Sequence, residues 1–141
     1  LTELMLVVLV AGVLATLAIP SYTSMTQSQR VKNASFEMYT LISIARSEAV
    51  KRNGDVTIAR VASPDRFTVT AGGTLLYSKP VPNGVDITPS VAVITYQRTG
   101  RTTAAGADAT YQIDVEGATT THVRCITLEL SGVPSTRKGA C

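Results

Sequence analysis

The chain has 141 residues, of which 45% are hydrophobic and 16% charged, and its formal net charge is +3. This length suits one domain of ordinary size, and this composition excludes an intrinsically disordered chain. The absence of Trp and the presence of only two Phe residues indicate a core of aliphatic side chains. The net charge is too small to indicate nucleic-acid binding by itself, so that role would need a local cluster of basic residues.

The first part of the chain is an apolar segment, residues 4–19, which Glu3 precedes and Pro20 follows. As a helix it would be about 24 Å long, a little shorter than the roughly 30 Å hydrocarbon core of a bilayer. No basic residue precedes or interrupts it, whereas a cleaved secretory signal would begin with positive charge. Because the segment is apolar on every side, we expect lipid or other protein to surround it.

The next segment, residues 24–53, has the spacing of an amphipathic helix. Apolar side chains recur there at intervals of three and four, which is typical of a helix with one buried stripe. They are Val31, Ala34, Met38, Leu41, Ile42, Ala45 and Ala49. Most of the remaining positions are charged: Arg30, Lys32, Glu37, Arg46, Glu48, Lys51 and Arg52. Asn53 and Gly54 follow the basic last turn and predict the end of the helix.

If the two segments form one helix, its residues number about 52 and span roughly 78 Å. A domain of this size cannot bury so long a rod, so half of it must protrude. Gly12 and Pro20 are its weakest positions, because glycine costs about 1 kcal/mol and interior proline about 3 kcal/mol relative to alanine. We expect the segment between them to bend or unwind when assembly supplies other packing. The alternative is that Pro20 only bends a membrane helix.

Residues 55–141 consist of short stretches rich in Val, Ile, Thr and Tyr, separated by turn residues. We predict about six or seven antiparallel strands from this pattern. One face of their sheet needs an apolar cover, and only the helix of residues 24–53 is long enough to provide it. The predicted fold is therefore α+β, with an antiparallel β-sheet body on a long protruding N-terminal helix.

Two cysteines, Cys125 and Cys141, are candidates for a disulfide bond. It would close a loop of about 15 residues and stabilise the fold by roughly 3 kcal/mol on the chain-entropy model. Such a bond implies an oxidising compartment, which places the folded part outside the cytoplasm. The alternative is a pair of free thiols. A zinc site is disfavoured because His122 is the only histidine.

No set of residues has the spacing of a catalytic or metal site, so the sequence predicts neither an enzyme nor a cofactor. His122 stands alone, and a lone histidine beside a strand usually has a structural or surface role. The glycine-containing stretches 71–73 and 99–106 lack the strand–turn–helix order of a phosphate-binding loop, which indicates hairpin turns.

The N-terminal segment, with Glu3, Gly12 and Pro20, resembles that of mature type IV pilins and pseudopilins, beginning a couple of residues inside their usual processed terminus. The stretches "ITYQRTGRTTAAG" and "RCITLELSGVPSTRKGAC" are similar to the GspH/FimT/FimU group of minor pilins. The resemblance implies the type IV pilin fold. It divides the chain into a hydrophobic half-helix, residues 1–23, and a globular domain, residues 24–141.

The resemblance also implies a function: a structural subunit of a type IV pilus or related pseudopilus, of the minor kind that aids assembly. Its partners would be other pilin subunits, after residence in the bacterial inner membrane, and its final location an extracellular or periplasmic filament. Glu3, beside Thr2, would set the register by pairing with the N-terminal ammonium of a neighbouring subunit. The alternative is that Glu3 lies in the headgroup region of a monomer.

Two other functions remain open. Some FimT-like pilins are implicated in DNA uptake through C-terminal arginines, and here Arg137 and Lys138 are predicted in a loop tethered by Cys141. Arg98, Arg101 and Arg124 would add a basic patch if the fold brings them together. The family's motif has two arginines after a glycine, whereas four residues separate Gly132 from Arg137. A type II secretion pseudopilin would share the fold.

Overall fold

A computed structural model of the chain describes residues 1–103, 108–115 and 122–141. It describes the side chains of all these residues except 17–21. One 51-residue helix comes first, and eight strands follow it in the described part of the chain. The elements are α1 (Thr2–Arg52), β1 (Val56–Ala62), β2 (Asp65–Ala71), β3 (Thr74–Pro80), β4 (Val85–Pro89), β5 (Val93–Tyr96), β6 (Ala109–Val115), β7 (Arg124–Leu128) and β8 (Pro134–Lys138). The sequence predicted about six or seven strands, and β8 is the strand that it did not predict.

The strands form two four-stranded sheets, so the structure divides the single predicted sheet in two. The first sheet has the order β3-β2-β1-β5 and the second the order β4-β6-β7-β8. Every pairing within them is antiparallel. The α+β class and the antiparallel character of the body are confirmed, while the choice of partner strands depends on contacts between distant parts of the chain.

The amphipathic part of α1 packs against these sheets as its spacing predicts. All the apolar stripe residues are buried, with exposed fractions between 0% at Ala49 and 6% at Leu41. Glu48 is the exception among the charged positions, since it is 8% exposed and accepts a hydrogen bond of 2.7 Å from Arg52 Nε. The helix ends at Arg52, and Asn53 adopts a left-handed conformation with φ of 51°. The predicted helix end is therefore confirmed.

Aromatic contacts join the two sheets beneath the helix. The ring of Phe67 in β2 meets the ring of Tyr111 in β6 edge-on, with 5.9 Å between centroids. The Tyr96 hydroxyl at the end of β5 donates a hydrogen bond of 3.1 Å to the carbonyl oxygen of Gly132, between β7 and β8. Because all three aromatic rings are buried, the sheets and the helix share one core.

The backbone of α1 is helical through both Gly12 and Pro20. A Cβ atom added at Gly12 would meet nothing within 4 Å, so this glycine is not required by packing within the subunit. Thr16 donates its hydroxyl to the carbonyl oxygen of Val13 at 2.7 Å. Unwinding between Gly12 and Pro20 during assembly stays a prediction.

Candidate assembly interface

The N-terminal part of α1 presents apolar side chains to solvent on every side. Every residue from 1 to 16 is exposed. Leu4, Leu9 and Leu14 are 69%, 68% and 61% exposed, although they lie on different turns and faces of the helix. Isolated apolar residues are common on protein surfaces, but a contiguous apolar surface of this extent marks a site of contact with lipid or protein.

Thr2 and Glu3 lie exposed in the first turn of α1, where backbone N–H groups have no partner within the helix. The first helical hydrogen bond runs from the Met5 N–H to the Leu1 carbonyl at 3.2 Å. A carboxylate at this end interacts favourably with the helix dipole, by about 0.3–1 kcal/mol. Because Glu3 is exposed, it is accessible to a neighbouring molecule. The role of Glu3 in setting the register between subunits stays a prediction.

The C-terminal residues form a hairpin closed by a disulfide bond. Cys125 in β7 and Cys141 are bonded, with their Cα atoms 5.1 Å apart, which confirms the predicted pair. The prediction of a loop at Arg137 and Lys138 was wrong, because both residues lie on β8, the edge strand beside β7. The Arg137 guanidinium donates to the Cys141 carbonyl oxygen at 3.1 Å.

Arg101 lies at the opposite end of the body from Lys138. Its neighbour Gly100 accepts a hydrogen bond of 2.9 Å from Arg46 Nε of α1. Lys138 instead lies beside Lys32 of α1, and fourteen residues of helix between Lys32 and Arg46 span roughly 21 Å. The structure therefore does not bring Arg101 together with the C-terminal cations, and DNA binding by these residues stays a prediction.

Three cationic residues line one cleft at the end of the body nearest the apolar helix. Lys32, Arg124 and Lys138 line a cleft of about 270 Å³, which we call the basic cleft, together with Ser28, His122 and Gly139. His122 Nε2 lies 3.1 Å from the Ser24 hydroxyl oxygen of α1. Within residues 1–103, 108–115 and 122–141, no group of three or more His, Cys, Asp or Glu side chains has the geometry of a metal site.

The sequence of the body matches a known family. The family model described as "Type II transport protein GspH" matches residues 34–132, which is more than half of the chain. The chain belongs to the GspH family. This confirms the resemblance to the GspH/FimT/FimU group.

Solved structures similar to this GspH-family chain are minor pilins and pseudopilins. The type IV minor pilin FimU of Pseudomonas aeruginosa has a TM-score of 0.67 at 18% identity, covering 80% of this chain and 92% of that chain. The minor pseudopilin EpsH from the Type 2 Secretion System of Vibrio cholerae has a TM-score of 0.62 at 14% identity, covering 77% and 97%. These likenesses confirm the type IV pilin fold. No curated protein matches the chain.

Among the helical residues whose side chains are described, no stretch has both the length and the hydropathy needed to cross a membrane.

Sequence reasoning missed one polar cluster that joins the sheets of this GspH-family body. Arg60 of β1 donates to both carboxylate oxygens of Asp65, at 2.9 and 2.8 Å, and to Asp86 of β4 at 3.1 Å. It also donates to the Ile87 carbonyl oxygen at 2.7 Å. The hydrogen bond from Arg60 lowers the pKa of the Asp65 carboxyl below its usual value. The positions of β1 and β4 in the sequence do not indicate this contact, because it depends on how the two sheets pack together.

Proposed function

We propose that this member of the GspH family is a minor structural subunit of a type IV pilus or a type II secretion pseudopilus. One observation carries the proposal: a single helix is exposed over residues 1–16 and apolar over residues 4–15, yet buried along one stripe where it packs on the body. An apolar helix without cover needs other molecules around it. Equivalent half-helices of neighbouring subunits would supply that cover in a filament.

Before assembly, residues 1–23 would anchor the subunit in the inner membrane, and residues 24–141 would form the globular domain outside the cytoplasm. The apolar character of residues 4–19 supports this order of events, because lipid and a bundle of half-helices are both apolar surroundings. The disulfide bond between Cys125 and Cys141 supports an oxidising compartment for the body.

Glu3 would set the axial position of each subunit in the filament. An ionised carboxylate surrounded by apolar helices needs a cationic partner, and the N-terminal ammonium of a neighbouring subunit is the partner implied by the family. Removal of one member of such a buried pair costs about 3–5 kcal/mol. Only a subunit in correct register would form the pair.

Mass spectrometry of sheared filaments, purified separately from pilus and pseudopilus preparations, tests this proposal. We expect the wild-type chain in one of the two filaments. The Glu3→Leu variant should be depleted there by more than about tenfold, since 1.4 kcal/mol already corresponds to that factor. Glu37→Gln is the matched control, because Glu37 lies on the body and pairs with Lys79 at 3.4 Å.

Cell fractionation in the same strains shows whether each variant is present in the membrane before assembly. Absence of the wild-type chain from both filaments would contradict the proposed function. Normal incorporation of the Glu3→Leu variant would contradict only the role of Glu3 in register.

A further inference from the structure

The basic cleft lies close to the point where the apolar half of α1 leaves the body. Along the helix axis, Ser24 is about 8 Å beyond Ile19, the last residue of the apolar segment, and Lys32 is about 20 Å beyond it. Side chains on a helix point toward its N-terminus, and the long stem of lysine carries its ammonium further in that direction. The Cα–Cβ bond of Lys32 therefore points toward the apolar segment, and the stem is long enough to carry the ammonium in that direction.

The three cations of the cleft form no ion pair with any residue of the described ranges 1–103, 108–115 and 122–141. Arg124 of β7 and Lys138 of β8 are directly opposite each other in the register, and like charges in that arrangement repel. Lys32 approaches the same cleft from α1. An anion bound in the cleft would relieve the repulsion.

The dimensions and donors of the cleft suit a phosphate group. Its volume of about 270 Å³ is several times the roughly 30 Å³ that one water occupies in the liquid. The Arg124 guanidinium offers a planar pair of donors, which matches phosphate oxygens, and the two lysines add point charges.

We infer that the basic cleft binds the phosphate group of an anionic phospholipid at the membrane surface before the subunit enters a filament. The inference rests on the proposed function, because residence of the apolar half-helix in the membrane places the cleft at the lipid headgroups. Each lysine or arginine near an anionic surface strengthens binding by about fivefold. Loss of all three cations should therefore weaken the interaction by on the order of a hundredfold.

The test uses the intact chain in zwitterionic micelles, titrated with phosphatidylglycerol. Backbone amide shifts of His122, Arg124 and Lys138 report binding by NMR. The cleft variant is Lys32→Gln/Arg124→Gln/Lys138→Gln.

The control variant, Lys51→Gln/Arg98→Gln/Arg101→Gln, removes the same charge from the other end of the body. We expect saturable shifts in the wild-type chain and the control variant, with an affinity reduced by on the order of a hundredfold in the cleft variant. Phosphatidylcholine should produce no such shifts.

Three outcomes would overturn the inference. Equal losses in the two variants would mean that only net charge matters. Equal affinity for inorganic phosphate would identify a free-ion site rather than a lipid site. Shifts produced by a short DNA duplex and not by phosphatidylglycerol would assign the cleft to nucleic acid. Incorporation into filaments is measured separately, so failure of the proposed function would leave the lipid titration interpretable.

Discussion

The two halves of α1 share one secondary structure and differ completely in burial. Residues 1–16 are exposed all round, whereas the stripe from Val31 to Ala49 is buried against two sheets. A helix forms its backbone hydrogen bonds internally, whether its side chains are exposed or buried. The helix α1 can therefore run from its exposed half into its buried half without a change of secondary structure. The difference shows that the body buries the apolar stripe of α1, whereas the apolar side chains of residues 1–16 have no such cover within the described part of the chain.

Truncation of one buried and one exposed aliphatic residue tests this difference most strongly. Ile42, in the buried stripe, is 0% exposed, and Leu9 is 68% exposed. We expect Ile42→Ala to lower the free energy of unfolding of the body by about 2–5 kcal/mol, because a buried cavity remains. Leu9→Ala should change it by less than about 0.5 kcal/mol.

Denaturant unfolding of the intact chain in micelles, followed by near-UV circular dichroism of the buried Tyr96 and Tyr111, measures both effects. Equal destabilisation by the two substitutions would mean that residues 1–16 pack on the body after all. Leu9→Ala should instead reduce incorporation into filaments, where the half-helices would pack together.

Removal of the disulfide bond tests whether the body needs its covalent link. Closure of a loop of about 15 residues accounts for roughly 3 kcal/mol of stability on the chain-entropy model. We expect Cys125→Ala/Cys141→Ala to lose about that much and to expose β8 first, since β8 is an edge strand. Hydrogen exchange of the β8 amides measures the local effect. Unchanged exchange there would show that pairing with β7 alone holds β8.

The elements that sequence predicted well are those with strong local patterns. The buried stripe of α1 follows from its spacing, and the helix end follows from Asn53 and Gly54. The disulfide was predictable because Cys125 and Cys141 are the only cysteines in the chain. In each case, one short segment or one residue type is sufficient for the inference.

The features that sequence missed depend on contacts between distant segments. The strand β8 reads "PSTRK", in which only Pro134 is buried, so no alternation of apolar residues marks it as a strand. It forms because the edge of β7 is available for backbone pairing. The basic cleft likewise combines Lys32 with Arg124 and Lys138, more than ninety residues along the chain. No local pattern contains such information.

Substitutions at two glycines distinguish the stability cost of backbone strain from the cost of close packing within the body. Gly132 has φ of +76°, and a Cβ atom there would collide with the Gly100 carbonyl oxygen and approach Tyr96 Cε1 at 2.9 Å. Gly72 has φ of +54° but open space around it. We expect Gly72→Ala to cost about 1–2 kcal/mol from backbone strain alone. Gly132→Ala should cost at least about 1 kcal/mol more, as measured by denaturant unfolding. Equal costs would show that the contact with Gly100 relaxes easily.

The smallest expected effect is the pH dependence of the ion pair between Arg60 of β1 and Asp65 of β2, two neighbouring strands of the first sheet. Arg60 lowers the pKa of Asp65 in the folded state, so the pair stabilises the body above the unfolded pKa of about 4 and loses that contribution as the pH falls through the folded value. Because the Asp65 side chain is 38% exposed, Asp65→Asn should cost less than about 1 kcal/mol near neutral pH.

That cost should begin to shrink below about pH 4, where the carboxyl of the unfolded chain becomes protonated, and should vanish only once the pH falls through the lowered folded-state pKa of Asp65. Asp55→Asn is the matched control, since Asp55 is exposed and forms no ion pair with the described residues. Free energies of unfolding at several pH values distinguish the two variants. A cost for Asp65→Asn that is independent of pH would mean that the side chain acts through packing or neutral hydrogen bonds.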